Sequence, residues 1–162
     1  MRYSQIRSLD IANGKGCRVS IFCSGCTHCC KNCFQPETWD FNYGKEFTED
    51  TLNSILELAK PDYIQGLSVL GGDPCHPKNW PTIKDLVRKF KDTYPNKTVW
   101  LWTGYLLEEV FEDLVDSGID VVVDGRFIEE LKDLRLKFRG SSNQRVISLQ
   151  ETIRTGNIVL IE

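Results

Sequence analysis

The sequence has little of several features that would assign a function at once. It carries two histidines and one methionine, and its formal net charge of −3 is small for 162 residues. Such a charge gives no general attraction to nucleic acid or to an anionic membrane, so we expect neither as a partner. No apolar run approaches the roughly 20 residues of a membrane-spanning helix. The first ten residues, MRYSQIRSLD, lack the apolar core of a signal peptide. We therefore expect a cytoplasmic protein.

No linker, internal repeat or low-complexity segment divides the chain. Apolar residues make up 41% and charged residues 27%, which is ordinary for a globular protein. A chain of this length can bury a substantial core. We therefore expect residues 1–162 to form a single domain.

Cysteine is the residue type that stands out. Five of the seven cysteines fall within eleven residues, namely Cys23, Cys26, Cys29, Cys30 and Cys33. Thiols this close cannot easily pair as disulfides across a fold, and a cytoplasmic chain would keep them reduced. A dense cluster in that compartment indicates metal binding or catalysis. Cys17 and Cys75 stand apart and suit the role of small buried hydrophobic residues.

Spacing alone leaves three interpretations of this cysteine loop open. Cys26, Cys30 and Cys33 would supply three thiolates and leave a fourth metal position empty. Cys23, Cys26, Cys29 and Cys33 match the spacing of a bacterial ferredoxin, which supplies four thiolates, although no proline follows the last cysteine. Two overlapping zinc knuckles would use adjacent Cys29 and Cys30, which strains a tetrahedral site.

Short β-rich runs alternate with amphipathic segments in the rest of the chain. Strands are predicted at Arg18–Ser24, Gly66–Leu70, Thr98–Trp102 and Val121–Val123. Helices are predicted to begin after Thr48, near Pro81 and at Leu107. This alternation is typical of βαβ units, and the chain is too short for a closed eight-fold barrel. We predict an α/β fold, a partial (incomplete) β/α barrel with an open, mostly parallel sheet.

The end of the chain has a different pattern. Arg145–Leu149 and Asn157–Ile161 are separated by a Thr155-Gly156 turn. These two runs could form a closing hairpin or add to the edge of the sheet.

A distinctive loop follows each predicted strand. In order, these are the cysteine loop, Gly71-Gly72-Asp73-Pro74, Thr103-Gly104-Tyr105 and Asp124-Gly125-Arg126. The carboxyl ends of parallel strands meet at one edge of a sheet, where such folds place their sites. We therefore expect an active site at this edge.

The three-cysteine spacing, Phe34 after its last cysteine and the Gly71–Pro74 loop together resemble the radical S-adenosylmethionine superfamily. Further segments, in order, resemble the activating proteins of anaerobic ribonucleoside-triphosphate reductases. These segments are Asn13–Gly16, Ser24–Cys26, Thr38-Trp39, Trp100–Tyr105, Val123–Phe127 and Arg139–Gln144. The resemblance covers roughly residues 1 to 148 and gives residues 150–162 no role.

The resemblance implies two cofactors and their binding residues. A [4Fe-4S] cluster would be held by Cys26, Cys30 and Cys33, with Cys23 and Cys29 dispensable, and S-adenosylmethionine would bind the remaining iron. The residues implied for S-adenosylmethionine are Asn32, Cys33 and Phe34 at the adenine and Gly71 and Gly72 at the methionine end. No catalytic side chain is implied, because the cofactors carry the difficult chemistry.

The implied reaction is the reductive cleavage of S-adenosylmethionine to a 5′-deoxyadenosyl radical. That radical would generate a glycyl radical on the glycyl-radical subunit of the reductase. A flavodoxin-like protein is the implied electron donor, and a homodimer is compatible with the sequence. The alternatives are an activase of another glycyl-radical enzyme, such as a formate-lyase type, and a ferredoxin-like or zinc-binding module without catalysis.

Further polar residues lie near these loops. His28 and His76 are expected to be hydrogen-bonded or solvated rather than metal ligands. Asp73 is expected to cap its turn. Asp124 and Arg126 could bind a ligand or partner, or pair with each other.

Overall fold

The structure is a computed structural model that describes residues 1–161. The strands are β1 (Arg2–Asp10), β2 (Arg18–Cys23), β3 (Lys45–Glu46), β4 (Gly66–Gly71), β5 (Thr98–Trp102), β6 (Val121–Asp124) and β7 (Arg145–Ser148). The helices are α1 (Glu49–Leu58), α2 (Trp80–Thr93), α3 (Leu107–Leu114) and α4 (Leu149–Thr155). Single 3₁₀ turns lie at Pro36–Trp39 and Glu129–Leu131.

The strands form one seven-stranded sheet in the order β3-β1-β2-β4-β5-β6-β7. The central strands β2, β4, β5 and β6 run parallel. At the two sides, β1 pairs antiparallel with β2 and β3, and β7 pairs antiparallel with β6. Since β3 and β7 lie at opposite ends of this sheet, it is open. The predicted α/β fold with an open, mostly parallel sheet is confirmed.

Three helices, α1, α2 and α3, start where the sequence predicts. The hydroxyl of Thr48 accepts a hydrogen bond from the Thr51 amide, 3.4 Å away, and caps α1. Pro81 lies in the first turn of α2, where a missing amide hydrogen costs nothing. Apolar residues spaced at three and four positions face the sheet from each helix, as Leu52 and Ile55 do from α1.

The side chains of β5 show how the sheet divides the interior. Val99 and Leu101 point into the main core beneath the helices. Trp100 and Trp102 point to the opposite face, where they pack with Val121 and Val123 in a smaller cluster. The indole nitrogen of Trp102 donates to the Phe138 carbonyl at 2.7 Å, so the segment after β6 crosses this second face.

Arg18 is fully buried at the start of β2, on the same second face. Its guanidinium donates to the Ser68 hydroxyl at 2.8 Å and to the Leu67 and Thr98 carbonyls, both at 2.9 Å. Burial lowers the pKa of Arg18 to about 10, so the group is still charged near neutral pH. The starts of three parallel strands are thus joined by one buried cation.

The strands β1 and β3 and the helix α4 were not predicted from the sequence. The end of the chain does return to the sheet edge: Ile147 and Leu160 form an antiparallel bridge, and the Ser148 amide donates to the Val159 carbonyl. The connection between the two runs is α4 rather than a tight turn. Within residues 1–161, no helix has the length and apolarity needed to cross a membrane.

Candidate functional site

A cavity of about 550 Å³ opens at the carboxyl ends of the parallel strands. Its inner wall includes Phe22, Leu70, Trp102 and Val123, which lie near the ends of β2, β4, β5 and β6. The loops that follow these strands surround it. A cavity therefore lies at the edge where the sequence predicts a site.

Three of the five clustered cysteines face this cavity. Cys26, Cys30 and Cys33 line it and are partly accessible. Cys23 is fully buried at the end of β2, and Cys29 is exposed with a left-handed φ of 53°. Neither of these two is among the cavity-lining residues.

The start of the cysteine loop is fixed by backbone hydrogen bonds. The Gly25 amide donates to the Thr38 carbonyl at 2.6 Å, and the Gly25 carbonyl accepts from the Asp73 amide at 2.8 Å. The Cys26 amide donates to the Trp39 carbonyl at 3.2 Å. Thr38 and Trp39, which carry part of the family resemblance, thus hold the start of the loop, and the Asp73 amide joins it to the Gly-Gly turn.

The thiols suit a soft metal centre, and loading one must displace protons. Burial raises the pKa of Cys26 to about 11, although a hydrogen bond from the His28 amide lowers it in part. Burial likewise raises the pKa of Cys30, against a hydrogen bond from the Phe127 amide. Metal binding requires thiolates, so binding releases these protons. Three thiols facing one cavity fit an iron–sulfur cluster that lacks a fourth protein ligand.

Gly71 and Gly72 line the cavity and leave no room for a side chain. Gly71 has a left-handed φ of 110°, and a Cβ there would lie 2.6 Å from the Cys23 amide nitrogen. A Cβ on Gly72 would lie 2.7 Å from the Gly25 carbonyl oxygen. Both contacts are far too short, so the paired glycines allow the cysteine loop to approach this turn closely.

The residues predicted to contact adenine divide between the cavity and its outside. Phe34 lines the cavity, is 59% exposed and packs against Phe127 with ring centroids 4.9 Å apart. Asn32 is exposed, has a φ of 57° and is not among the lining residues. Four of the five residues predicted for S-adenosylmethionine therefore lie at the cavity, and Asn32 does not line it.

Asp73 is fully buried beside the cavity. Its Oδ1 accepts from the Cys75 amide at 2.9 Å, so the expected turn cap is present. Its Oδ2 lies 2.5 Å from Nε2 of His28. His28 is therefore hydrogen-bonded, whereas His76 accepts only a local bond from the Lys78 amide at 3.1 Å.

Several residues at the cavity were not among the predicted site residues. Arg7 lines it from β1, a strand whose polar, half-exposed residues gave no strand signal. Arg139 and Gln144 also line it. Both belong to the segment Arg139–Gln144, which carries part of the resemblance but was given no role at the site. Arg139 donates to the Gln144 carbonyl at 2.6 Å, which braces this loop.

Asp124 pairs with Arg145 rather than with Arg126. Arg145 donates to both carboxylate oxygens of Asp124, from Nε at 3.0 Å and from Nη2 at 2.5 Å. Arg126 lies two residues along the chain and is exposed. Proximity in sequence suggested a pair between neighbours, but antiparallel pairing of β6 and β7 places Arg145 directly opposite Asp124.

Comparisons with known proteins agree with this arrangement. A family described as a 4Fe-4S single cluster domain matches residues 12–147. The anaerobic ribonucleoside-triphosphate reductase-activating protein of Salmonella typhi is 44% identical over 154 residues, covering 93% of this chain and 100% of the relative. The protein of that name from Escherichia coli K12 is 43% identical with the same coverage. The protein of that name from Enterobacteria phage T4 is 40% identical over 148 residues, covering 91% of this chain and 94% of the relative. The chain belongs to the 4Fe-4S single cluster domain family and to the family of anaerobic ribonucleoside-triphosphate reductase-activating proteins.

Proposed function

We propose that this protein is an iron–sulfur enzyme that reductively cleaves S-adenosylmethionine and thereby generates the glycyl radical on anaerobic ribonucleoside-triphosphate reductase. One observation carries the proposal: Cys26, Cys30 and Cys33 face a single cavity beside the paired glycines. Relatives named for reductase activation match this chain along nearly all of its length.

In this proposal the three cavity-facing thiolates hold a [4Fe-4S] cluster. When bound, the reduced cluster would supply an electron that cleaves the sulfonium S–C5′ bond of S-adenosylmethionine into methionine and a 5′-deoxyadenosyl radical. This radical would take a hydrogen atom from a glycine Cα of the reductase. A cluster with three protein ligands leaves one iron open, as a catalytic metal needs.

In this proposal the chain itself binds and orients the two cofactors and shields the radical from water. The apolar wall of Phe22, Leu70 and Trp102 excludes water from the place where a reactive radical forms. Phe34 offers an aromatic face for adenine at the mouth of the cavity. Gly71 and Gly72 let backbone groups approach the methionine end closely. The exposed Asn32 side chain leaves its main chain as the part available for an adenine contact.

The partners follow from the same chemistry. The glycine belongs to another protein, and the cavity opens at the carboxyl ends of the parallel strands, where a loop of that protein could enter. We propose a flavodoxin-like protein as the one-electron donor. We further propose that residues 1–162 act as one domain in the cytoplasm, and a homodimer is compatible with the sequence. Size measurement of the cluster-loaded protein tests the oligomeric state.

Electron paramagnetic resonance of the anaerobically reconstituted protein tests the function. The reduced cluster should give a signal that changes when S-adenosylmethionine is added, and mixing with the reductase should produce a glycyl-radical signal. A cluster signal that S-adenosylmethionine leaves unchanged would contradict the proposal and favour a ferredoxin-like electron carrier. A colourless protein retaining zinc would favour an interaction module.

The identity of the partner is tested with a matched substrate. A formate-lyase type of glycyl-radical enzyme is offered in place of the reductase under the same conditions. A glycyl radical on the reductase alone supports the assignment. A radical on the lyase alone would instead assign the protein as an activase of that enzyme.

A further inference from the structure

His28 has an unusual orientation for a residue in an exposed loop. It lies between Cys26 and Cys30, and its neighbours Thr27 and Cys29 are exposed. Its own side chain is only 4% exposed. The imidazole therefore turns inward from the middle of the segment that carries the proposed cluster ligands.

The protein makes specific room for this ring. A Cβ on Gly104 would lie 2.5 Å from Cδ2 of His28, so only a glycine fits there. Tyr105 packs edge-on against the ring, with centroids 4.6 Å apart and planes at 74°. Both residues belong to the loop after β5, so the imidazole is packed against an element distant in sequence.

Asp73 holds the ring and joins three loops. Beyond His28, its Oδ2 accepts from the Gly104 amide at 3.0 Å. Its Oδ1 accepts from the Cys75 amide at 2.9 Å and from the Thr103 hydroxyl at 2.8 Å. One buried carboxylate thus connects the loops that follow β2, β4 and β5.

The donors fix the direction of the His28 bond. Two backbone amides can only donate to Asp73. The Thr103 hydroxyl accepts from the Tyr105 amide at 3.1 Å, which leaves its hydrogen for the carboxylate. Asp73 therefore acts as an acceptor throughout, so Nε2 of His28 carries the hydrogen that they share. Bonds of this charge-assisted type are among the stronger hydrogen bonds in proteins.

A metal ion is the other occupant to consider at this place. One ligand atom each from Cys26, His28 and Asp73 lies within 4.8 Å of the others. However, each oxygen of Asp73 already accepts two hydrogen bonds, and a metal would have to displace them. The contacts favour a hydrogen-bonded support over a further metal site.

We propose that His28 and Asp73 form a positioning pair that fixes the middle of the cysteine loop relative to the Gly71-Gly72 turn. The inference rests on the proposed function. The backbone ties at Gly25 and Cys26 hold only the start of the loop. The side-chain tie at His28 sets where Cys30 lies with respect to the loop after β4. The pair thereby sets the distance between the bound cluster and bound S-adenosylmethionine.

Replacing the donor tests the pair. His28→Leu removes the hydrogen bond but keeps an apolar side chain of similar size, while His28→Gln can place an amide nitrogen near the position of Nε2. His76→Leu is the matched control, since the His76 imidazole accepts a hydrogen bond from the nearby Lys78 amide and packs against Phe41, and neither His76 nor Phe41 lines the cavity. Iron and sulfide content after reconstitution, loss of iron to a chelator, and the S-adenosylmethionine-dependent spectral change are measured for each.

His28→Leu should lose iron to the chelator about tenfold faster and weaken the S-adenosylmethionine-dependent spectral change, as expected when a supporting residue behind metal ligands is lost. Its KM for S-adenosylmethionine should rise more than its kcat falls. His28→Gln and His76→Leu should behave like the wild type. Unfolding of the cluster-free variants checks that the fold is intact.

Failure of the pair and failure of the proposed function give different results. If the wild type shows no response to S-adenosylmethionine, the proposed function fails. If the wild type responds and His28→Leu matches it in iron retention and spectrum, the positioning pair is overturned. Should His28→Leu not fold, His28→Asn is compared with His28→Gln. The shorter amide cannot reach Asp73, so equal iron retention in these two variants would also overturn the pair.

Discussion

Arg145 at the start of β7 donates hydrogen bonds to both carboxylate oxygens of Asp124 at the end of β6. Asp124 is fully buried, and its Oδ2 also accepts from the Leu107 amide at 2.8 Å at the start of α3. The pair therefore ties the last parallel strand to the edge strand and to a helix. This junction lies beside the Gly125 turn that borders the cavity.

Removing this cation should destabilise the protein strongly. Arg145→Met leaves a buried carboxylate with one remaining donor, and we expect the free energy of unfolding to fall by about 3 kcal/mol. Arg126→Met, which changes an exposed arginine two residues beyond Asp124, should stay within about 0.5 kcal/mol of the wild type. Urea unfolding of both variants measures the difference. Equal stabilities would show that the ion pair contributes nothing.

Asp10 gives the protein a defined sensitivity to acid. Burial raises its pKa, but hydrogen bonds from Asn13, Ser20 and the Ala12 amide outweigh burial and hold the pKa below its usual value. The ionised form is thus favoured in the folded state. Its contribution to stability is complete above the unfolded pKa of about 4 and is lost as pH falls through the lowered folded pKa.

The prediction from Asp10 is a difference that depends on pH. Asp10→Asn should lower the free energy of unfolding at pH 7 by about 1–2 kcal/mol, because an amide oxygen replaces a carboxylate that accepts three bonds. The gap between wild type and variant should shrink as the pH falls below about 4. Urea unfolding of the cluster-free protein across this range measures it. A gap that widens in acid would contradict the assignment.

Local pattern was enough to predict the parallel strands, their helices and the edge at which the cavity lies. Alternating strands and helices encode these features within short windows of sequence. The strand β1 was not predicted because its residues are mostly polar and only half buried. The inward turn of His28 depends on Asp73 and Gly104, which belong to two other loops and meet it only after folding. No window of sequence contains that information.

Gly71 supports a prediction about close backbone approach. Gly71→Ala places a side chain on a residue with a left-handed φ, and the new Cβ would lie 2.6 Å from the Cys23 backbone. We therefore expect the free energy of unfolding to fall by about 3 kcal/mol or more and the iron content to fall with it. Gly156→Ala is the matched control, with a φ of 76° and no atom within 4 Å of the added Cβ. It should cost about 1 kcal/mol, from backbone conformation alone, and retain the wild-type iron content. Equal effects of the two changes would mean that the contact with β2 is unimportant.

The adjacent residues Cys29 and Cys30 distinguish the three interpretations of the cysteine loop. A three-thiolate cluster on Cys26, Cys30 and Cys33 requires Cys30 and not Cys29. The ferredoxin spacing requires Cys29 and not Cys30, and paired zinc knuckles require both. Cys30 faces the cavity, whereas Cys29 is exposed with a left-handed backbone that turns the chain between them.

We therefore expect opposite results when Cys29 and Cys30 are each replaced by alanine and the cluster content is measured after anaerobic reconstitution. Cys30→Ala should lose the cluster spectrum, because a cluster with two remaining thiolates is poorly held. Cys29→Ala should keep the wild-type iron content and its response to S-adenosylmethionine. Cys23→Ala should also keep the cluster but lose about 1 kcal/mol of stability, since its side chain is fully buried. Loss of the cluster in Cys29→Ala with retention in Cys30→Ala would reverse the assignment, because no three-thiolate site at this cavity can be built without Cys30.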